Sequence, residues 1–156
     1  MLCAAVLLAG CSGMTPFASA PATSVPVRSP ADGSKREVLA ASKTHFRCAH
    51  YGETMATTFD ATGKASGSRR GTFTASGIWS LSRYNGSPTW SFREDFTIVS
   101  GSHYTSGVVL GGGTSPPPMS CFKFGPAALK YRVTKVRGDA NVQIKNRKLQ
   151  ETLDGF

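Results

Sequence analysis

From Lys43 to Phe156 the chain is written in short runs of alternating apolar and polar residues separated by turn signals, and this pattern limits the fold more than any other feature. Successive side chains of a strand point to opposite faces, so a period of two is what a half-buried strand requires. The runs Thr44–His50, Thr54–Asp60, Gly71–Ala75, Ile78–Arg83, Thr89–Arg93, Phe96–Ser100, His103–Leu110, Met119–Phe124, Leu129–Val136 and Val142–Leu149 read as strands. The expected fold is all-β: an antiparallel sandwich or barrel of about 8 to 10 short strands.

Turn chemistry orders these runs. Asn85-Gly86 lies between Arg83 and Thr89, and this dipeptide supplies the positive φ angles of a tight hairpin. Gly138-Asp139-Ala140-Asn141 is expected to play the same part between the last two strands. Gly111 to Pro118 is rich in Gly and Pro and is expected as an exposed loop, with Gly77 and Gly107 marking bulges.

Ahead of these strands the texture differs. Ser12 to about Ala41 carries Pro16, Pro21, Pro26 and Pro30 among Ala, Ser and Thr, with no hydrophobic period, and reads as a disordered tether with a faint helical turn near Arg36 to Ala41. Leu2 to Leu8 is an apolar run too short to span a bilayer, which needs about 20 residues, and it suits the apolar core of an export signal. The expected organisation is a signal peptide at 1–10, a tether at 11–42 and a β-rich domain at 43–156. Hydrophobic residues at 40% and charged residues at 17% suit such a secreted β domain.

Leu8-Ala9-Gly10-Cys11 resembles the lipobox of bacterial lipoproteins. The resemblance implies cleavage before Cys11, diacylation of its sulfur, and an exported protein held to the cell envelope by an N-terminal lipid. Met1-Leu2-Cys3 lacks the basic residue of that family's leader, as a start upstream of this Met would explain.

With Cys3 removed and Cys11 acylated, Cys48 and Cys121 are left, and two cysteines make one bridge. An oxidising compartment would keep it closed. The alternative is a pair of buried free thiols.

The net charge of +9 implies an anionic partner. Leu129 to Val133 places Lys130 and Arg132 opposite its apolar residues, and Val142 to Arg147 repeats the arrangement with Lys145 and Arg147. The four are expected on one hairpin face that docks on anionic envelope polymer or lipid, or that simply keeps the strand edge soluble. Nucleic acid is not expected, because export separates the protein from it and no recognised signature accompanies the charge. Trp79 and Trp90 flank the Asn-Gly hairpin and are expected in the core; a glycan platform extended by Tyr84 and Tyr104 is the sharper alternative.

Catalytic templates fail on inspection: there is no G-x-S-x-G elbow, no H-E-x-x-H and no phosphate loop, and the adjacent Glu94 and Asp95 would point to opposite faces of a strand. His45, Cys48, His50 and Glu53 have the atom types of a zinc site. In a strand, however, His45 points away from the face shared by Cys48 and His50, and a disulfide removes the thiolate. No catalytic residue, metal or cofactor is therefore expected.

Three segments resemble the membrane-bound inhibitors of C-type lysozyme, which are small β-barrel lipoproteins: Phe46-Arg47-Cys48, Ser100 to Gly107, and Phe124 to Leu129. The resemblance implies a barrel, with Ser100 or Ser102 as the inhibitory loop serine. The tryptophan-lysine-glycine signature of that family is absent, and like-charge repulsion would oppose a basic lysozyme. The expected function is a non-catalytic binding or structural module of the cell envelope. The alternatives are a glycan-binding module, or a secreted inhibitor or enzyme in which His103 or His50 meets a carboxylate or serine in a pocket.

Overall fold

The computed structural model describes residues 35–156; the expected signal peptide, Cys11 and the tether as far as position 34 lie outside the described residues. Nine strands follow in order: β1 Arg36–Tyr51, β2 Thr54–Gly67, β3 Gly71–Tyr84, β4 Ser87–Ser100, β5 His103–Gly113, β6 Met119–Ser120, β7 Lys123–Val133, β8 Val136–Lys145 and β9 Lys148–Asp154. All but the two-residue β6 build an eight-stranded antiparallel barrel. Neighbours run β5-β4-β3-β2-β1-β9-β8-β7, and β5 closes on β7 through Val108↔Arg132, Val109↔Tyr131 and Leu110↔Lys130. The choice between sandwich and barrel is thus settled for the barrel. Closure gives every long strand a partner on both sides over at least part of its length.

The strands are longer than sequence periodicity suggests. β3 and β4 each run through a glycine or an acidic pair that reads as a break. At Gly77 and Gly107 the register is regular, without the expected bulges. These glycines instead admit aromatic rings: a Cβ on Gly77 would lie 2.6 Å from the Phe59 ring, and one on Gly107 would lie 2.5 Å from Phe96. The observed register shifts fall between Ala41 and Lys43 in β1 and between Phe124 and Ala127 in β7.

The domain also starts earlier than position 43. Arg36 to Ala40 pair with β9 and Glu37 to Ala41 with β2, so the segment read as tether and faint helical turn is strand. Its inward residues, Glu37, Leu39 and Ala41, are too few for the alternation to stand out beside the Pro-rich stretch before them.

The Asn85-Gly86 turn is as expected, with φ of 50° and 78°. The last two expected turns move. Gly138 to Asn141 lies within β8, and the chain reverses earlier, at Thr134-Lys135, and again at Asn146-Arg147. Gly138 is needed for packing, since a Cβ there would collide with the Tyr131 ring on β7. β5 likewise reaches Gly113, so only the remainder of the expected 111–118 loop is unpaired.

Alternation sends one face of every strand inward. Trp79, Phe59, Phe73, Phe92, Phe96, Phe124 and Tyr131 fill the interior opposite small residues such as Ala61, Ala65, Ala75 and Ala140. Each such ring contributes roughly 1.5 to 3 kcal/mol on burial. Trp79 is the hub, with Phe59, Phe124 and Phe46 at centroid distances of 5.6, 5.8 and 5.9 Å. The outer wall is polar, with hydroxyl pairs bridging strands at Thr54–Ser82, Ser80–Ser91 and Thr97–Ser106, at 2.8 to 2.9 Å.

Both ends are closed. At the terminal end, where β1 begins and β9 finishes, Phe156 packs on Tyr131 at 5.9 Å, and the Gly155 and Phe156 amides donate to the Lys35 carbonyl. At the opposite end the β5–β7 connection lies across the mouth, where Trp79 Nε1 donates to the Ser120 carbonyl at 3.2 Å and Cys121 is bonded to Cys48.

Candidate functional site

The disulfide end concentrates reactive and charged groups. The bond between Cys48 on β1 and Cys121 ahead of β7 spans 73 residues, as cysteine counting suggested. His50 follows Cys48 by two residues on β1, and its Nε2 lies 3.8 Å from Cys48 Sγ and 3.4 Å from Cys121 Sγ. Phe122, 44% exposed, meets Phe46 edge-on at 6.2 Å. The Arg147 guanidinium lies over the Phe122 ring at 4.8 Å, an arrangement worth roughly 0.5 to 1 kcal/mol when exposed.

Four exposed cations share this rim. Lys145 and Lys148 flank the Asn146-Arg147 turn, and Lys123 stands beside the Phe124↔Ile144 pair, next to Lys145. None of them takes part in the ion pairs found among the described residues, which are Arg36–Asp154, Arg93–Asp95 and Lys130–Asp139. Asn146 and Arg147 hold φ of 53° and 57°, which suits Asn but is unfavourable for Arg by about 1 to 2 kcal/mol.

This geometry divides the expected basic face. Lys130 and Arg132 are exposed on β7 near its terminal-end turn, and Lys130 is bound to Asp139. Lys145 is six residues beyond Asp139 along β8, or about 20 Å, and Arg147 is farther still. The four do not form one hairpin face, because the strands reverse at Thr134-Lys135 rather than at Gly138. Lys145 and Arg147 join Lys123 and Lys148 instead, a grouping that sequence spacing does not show.

Among the described side chains, the residues of the expected glycan platform do not come together on one exposed surface. Trp79 is fully buried, Trp90 is half-buried against Phe124, and Tyr104 is exposed at the terminal end. Tyr84 ends β3 at the opposite end, and its side chain lies outside the described atoms. Ser100 and Ser102, matched to the inhibitory serine of the lysozyme inhibitors, sit at a tight reversal in which Ser100 pairs with His103.

One cluster escaped sequence reading. Glu94 and Glu151 are both buried inside the barrel, and none of their four oxygens receives a donor from the rest of the protein. The two carboxyls are neighbours, and a hydrogen bond between them requires one to be protonated. Loss of water pushes Glu94 well above the usual carboxylate range, and the Glu151 charge raises it further. Burial pushes Glu151 up to about 7, against a lowering by the hydrogen bond from Glu94. Nearer the terminal end, Glu37 is also raised by burial, although the Arg69 amide donates to its Oε2 at 2.9 Å. The Arg69 guanidinium donates to Thr105 Oγ1 at 2.5 Å. The available signal was Glu151 alternating with Leu149 and Leu153, which puts a carboxyl on an apolar face.

Comparison of the chain with protein-family models, with curated proteins and with solved structures returned no match.

Proposed function

We propose that the chain is an exported, lipid-anchored, non-catalytic module of the cell envelope that binds an anionic polymer through the basic rim at its disulfide end. The observation that carries this reading is the Arg147 guanidinium held over exposed Phe122 among Lys123, Lys145 and Lys148, with no carboxylate among the described residues paired to any of them. The Cys48–Cys121 disulfide supports an oxidising compartment. The aromatic filling of the interior directs binding to the surface rather than the lumen.

The placement of the rim favours a polymer over the anchoring leaflet. β1 begins at the terminal end, so a chain leading from Cys11 enters there, with the basic rim about 35 Å away along the barrel. The rim is thus at the end of the barrel farther from the point where the tether joins.

The test is cosedimentation of the protein with a uronic-acid polysaccharide and, separately, with phosphatidylglycerol vesicles. Binding to the polymer is expected to fall with salt and to be abolished when Lys123, Lys145, Arg147 and Lys148 are all changed to Glu. Undiminished binding by that variant, or binding to vesicles alone, would overturn the reading. Palmitate incorporation that disappears in Cys11→Ser would support the anchor, whereas unchanged incorporation would refute it.

A further inference from the structure

The sulfurs of Cys48 and Cys121 and Nε2 of His50 lie within 4.8 Å of one another at the rim of the barrel. We propose that, once the disulfide is reduced, these three atoms form a zinc site, so that this end of the barrel alternates between a disulfide and a metal-holding state. The proposal is independent of the anionic partner proposed above.

The argument is geometric. Zinc takes thiolate sulfur at about 2.3 Å and imidazole nitrogen at about 2.0 to 2.1 Å in a tetrahedron, which sets N···S separations near 3.6 Å. His50 Nε2 already stands at 3.4 and 3.8 Å from the two sulfurs. The imidazole is therefore in place before any metal arrives, and only the sulfurs need to separate. Side-chain rotation at two cysteines whose Cα atoms are 5.3 Å apart provides that movement without shifting the strands.

The chemistry balances as follows. A dithiol reductant delivers two electrons and two protons to the disulfide, yielding two thiols and its own disulfide. Zn²⁺ then replaces the two thiol protons, which leave to solvent, and neutral His50 donates its Nε2 lone pair. Two thiolates cancel the metal charge. Both cysteines are half-buried and His50 is exposed, so reductant and metal reach the site from solvent, and the fourth position faces water. His45 and Glu53, the other members of the sequence pattern, are not in the cluster; Cys121, from the far side of the β5–β7 connection, takes their place.

The experiment uses the full chain carrying Cys3→Ser and Cys11→Ser, so that two thiols remain. Titration with Co²⁺ as a spectroscopic stand-in for Zn²⁺, before and after phosphine reduction, is read by near-ultraviolet and visible absorption, with circular dichroism recorded in parallel. The reduced protein is expected to bind one equivalent with sulfur charge-transfer and tetrahedral d–d bands that Zn²⁺ abolishes, and the oxidised protein none. His50→Ala is expected to weaken Zn²⁺ binding at least tenfold and to change the d–d spectrum, and Cys121→Ser to remove the signal. Absence of the bands in the folded, reduced protein would overturn the site. So would His50→Ala binding with unchanged affinity and spectrum, or reduction that unfolds the chain without recovery on adding Zn²⁺.

Discussion

Glu94 on β4 and Glu151 on β9 meet inside the barrel from opposite walls, since four steps separate their strands around the eight-stranded ring. Two carboxyls sealed from water cannot both ionise cheaply, so the pair holds a proton. Its position in a largely aromatic and aliphatic interior, which also holds Glu37, makes barrel stability depend on pH.

The sign follows from the raised values. A carboxyl whose folded value lies above its unfolded value near 4.5 binds more protons folded than unfolded, so stability falls as pH rises between the two. With Glu151 at about 7 and Glu94 raised as well, unfolding free energy is expected to decrease from pH 5 to pH 8 by on the order of a few kcal/mol. Glu151→Gln, whose amide can donate to Glu94, is expected to be more stable than the native chain at pH 8 and to show a flatter profile. Urea melts across this range check it, and a native profile that is level or rising would contradict the shared proton.

The disulfide contributes through the unfolded chain. Its span of 73 residues corresponds to about 4 kcal/mol in the chain-entropy model. Changing Cys48 and Cys121 together to Ala should lower the denaturant midpoint accordingly while leaving the far-ultraviolet spectrum of a β protein, because the barrel core does not depend on the bridge. A midpoint equal to the native one would show that the bridge does not stabilise the fold.

Gly77→Ala is expected to destabilise by about 1 to 3 kcal/mol, because its Cβ would lie 2.6 Å from the Phe59 ring and 2.5 Å from the Arg93 carbonyl oxygen. The comparison is Gly86→Ala: no atom lies near its Cβ, so only the positive φ of 78° opposes it. Thermal melts of the two separate ring packing from turn strain; a Gly77→Ala variant as stable as the native chain would show that Phe59 has room to move.

Arg147 couples strain to binding. Replacing it with Gly removes the unfavourable φ of 57° and is expected to stabilise the barrel by up to about 1 kcal/mol, while weakening attachment to an anionic polymer. Opposite changes in melting temperature and affinity would identify Arg147 as a residue kept for recognition. A loss of stability would show that its contact with Phe122 outweighs the strain.

Local pattern alone determined that the chain is antiparallel β from Lys43 onward, that Asn85-Gly86 makes a hairpin, and that Glu94 and Asp95 part to opposite faces, while counting cysteines pointed to the Cys48–Cys121 pair with free thiols as the alternative. These properties depend on residues two apart, on backbone preferences of single residues, or on a count. Only the tertiary structure decided that the sheet closes through β5 and β7, that Gly138 serves the Tyr131 ring instead of a turn, that the basic residues divide between two ends, and that Glu151 finds Glu94. It also brought His50 to Cys121, 71 residues away. Alternation says which way a side chain points but not what stands opposite. That depends on register and closure around the whole ring, where filling the interior with seven large aromatic side chains outweighs the turn preference of any one segment.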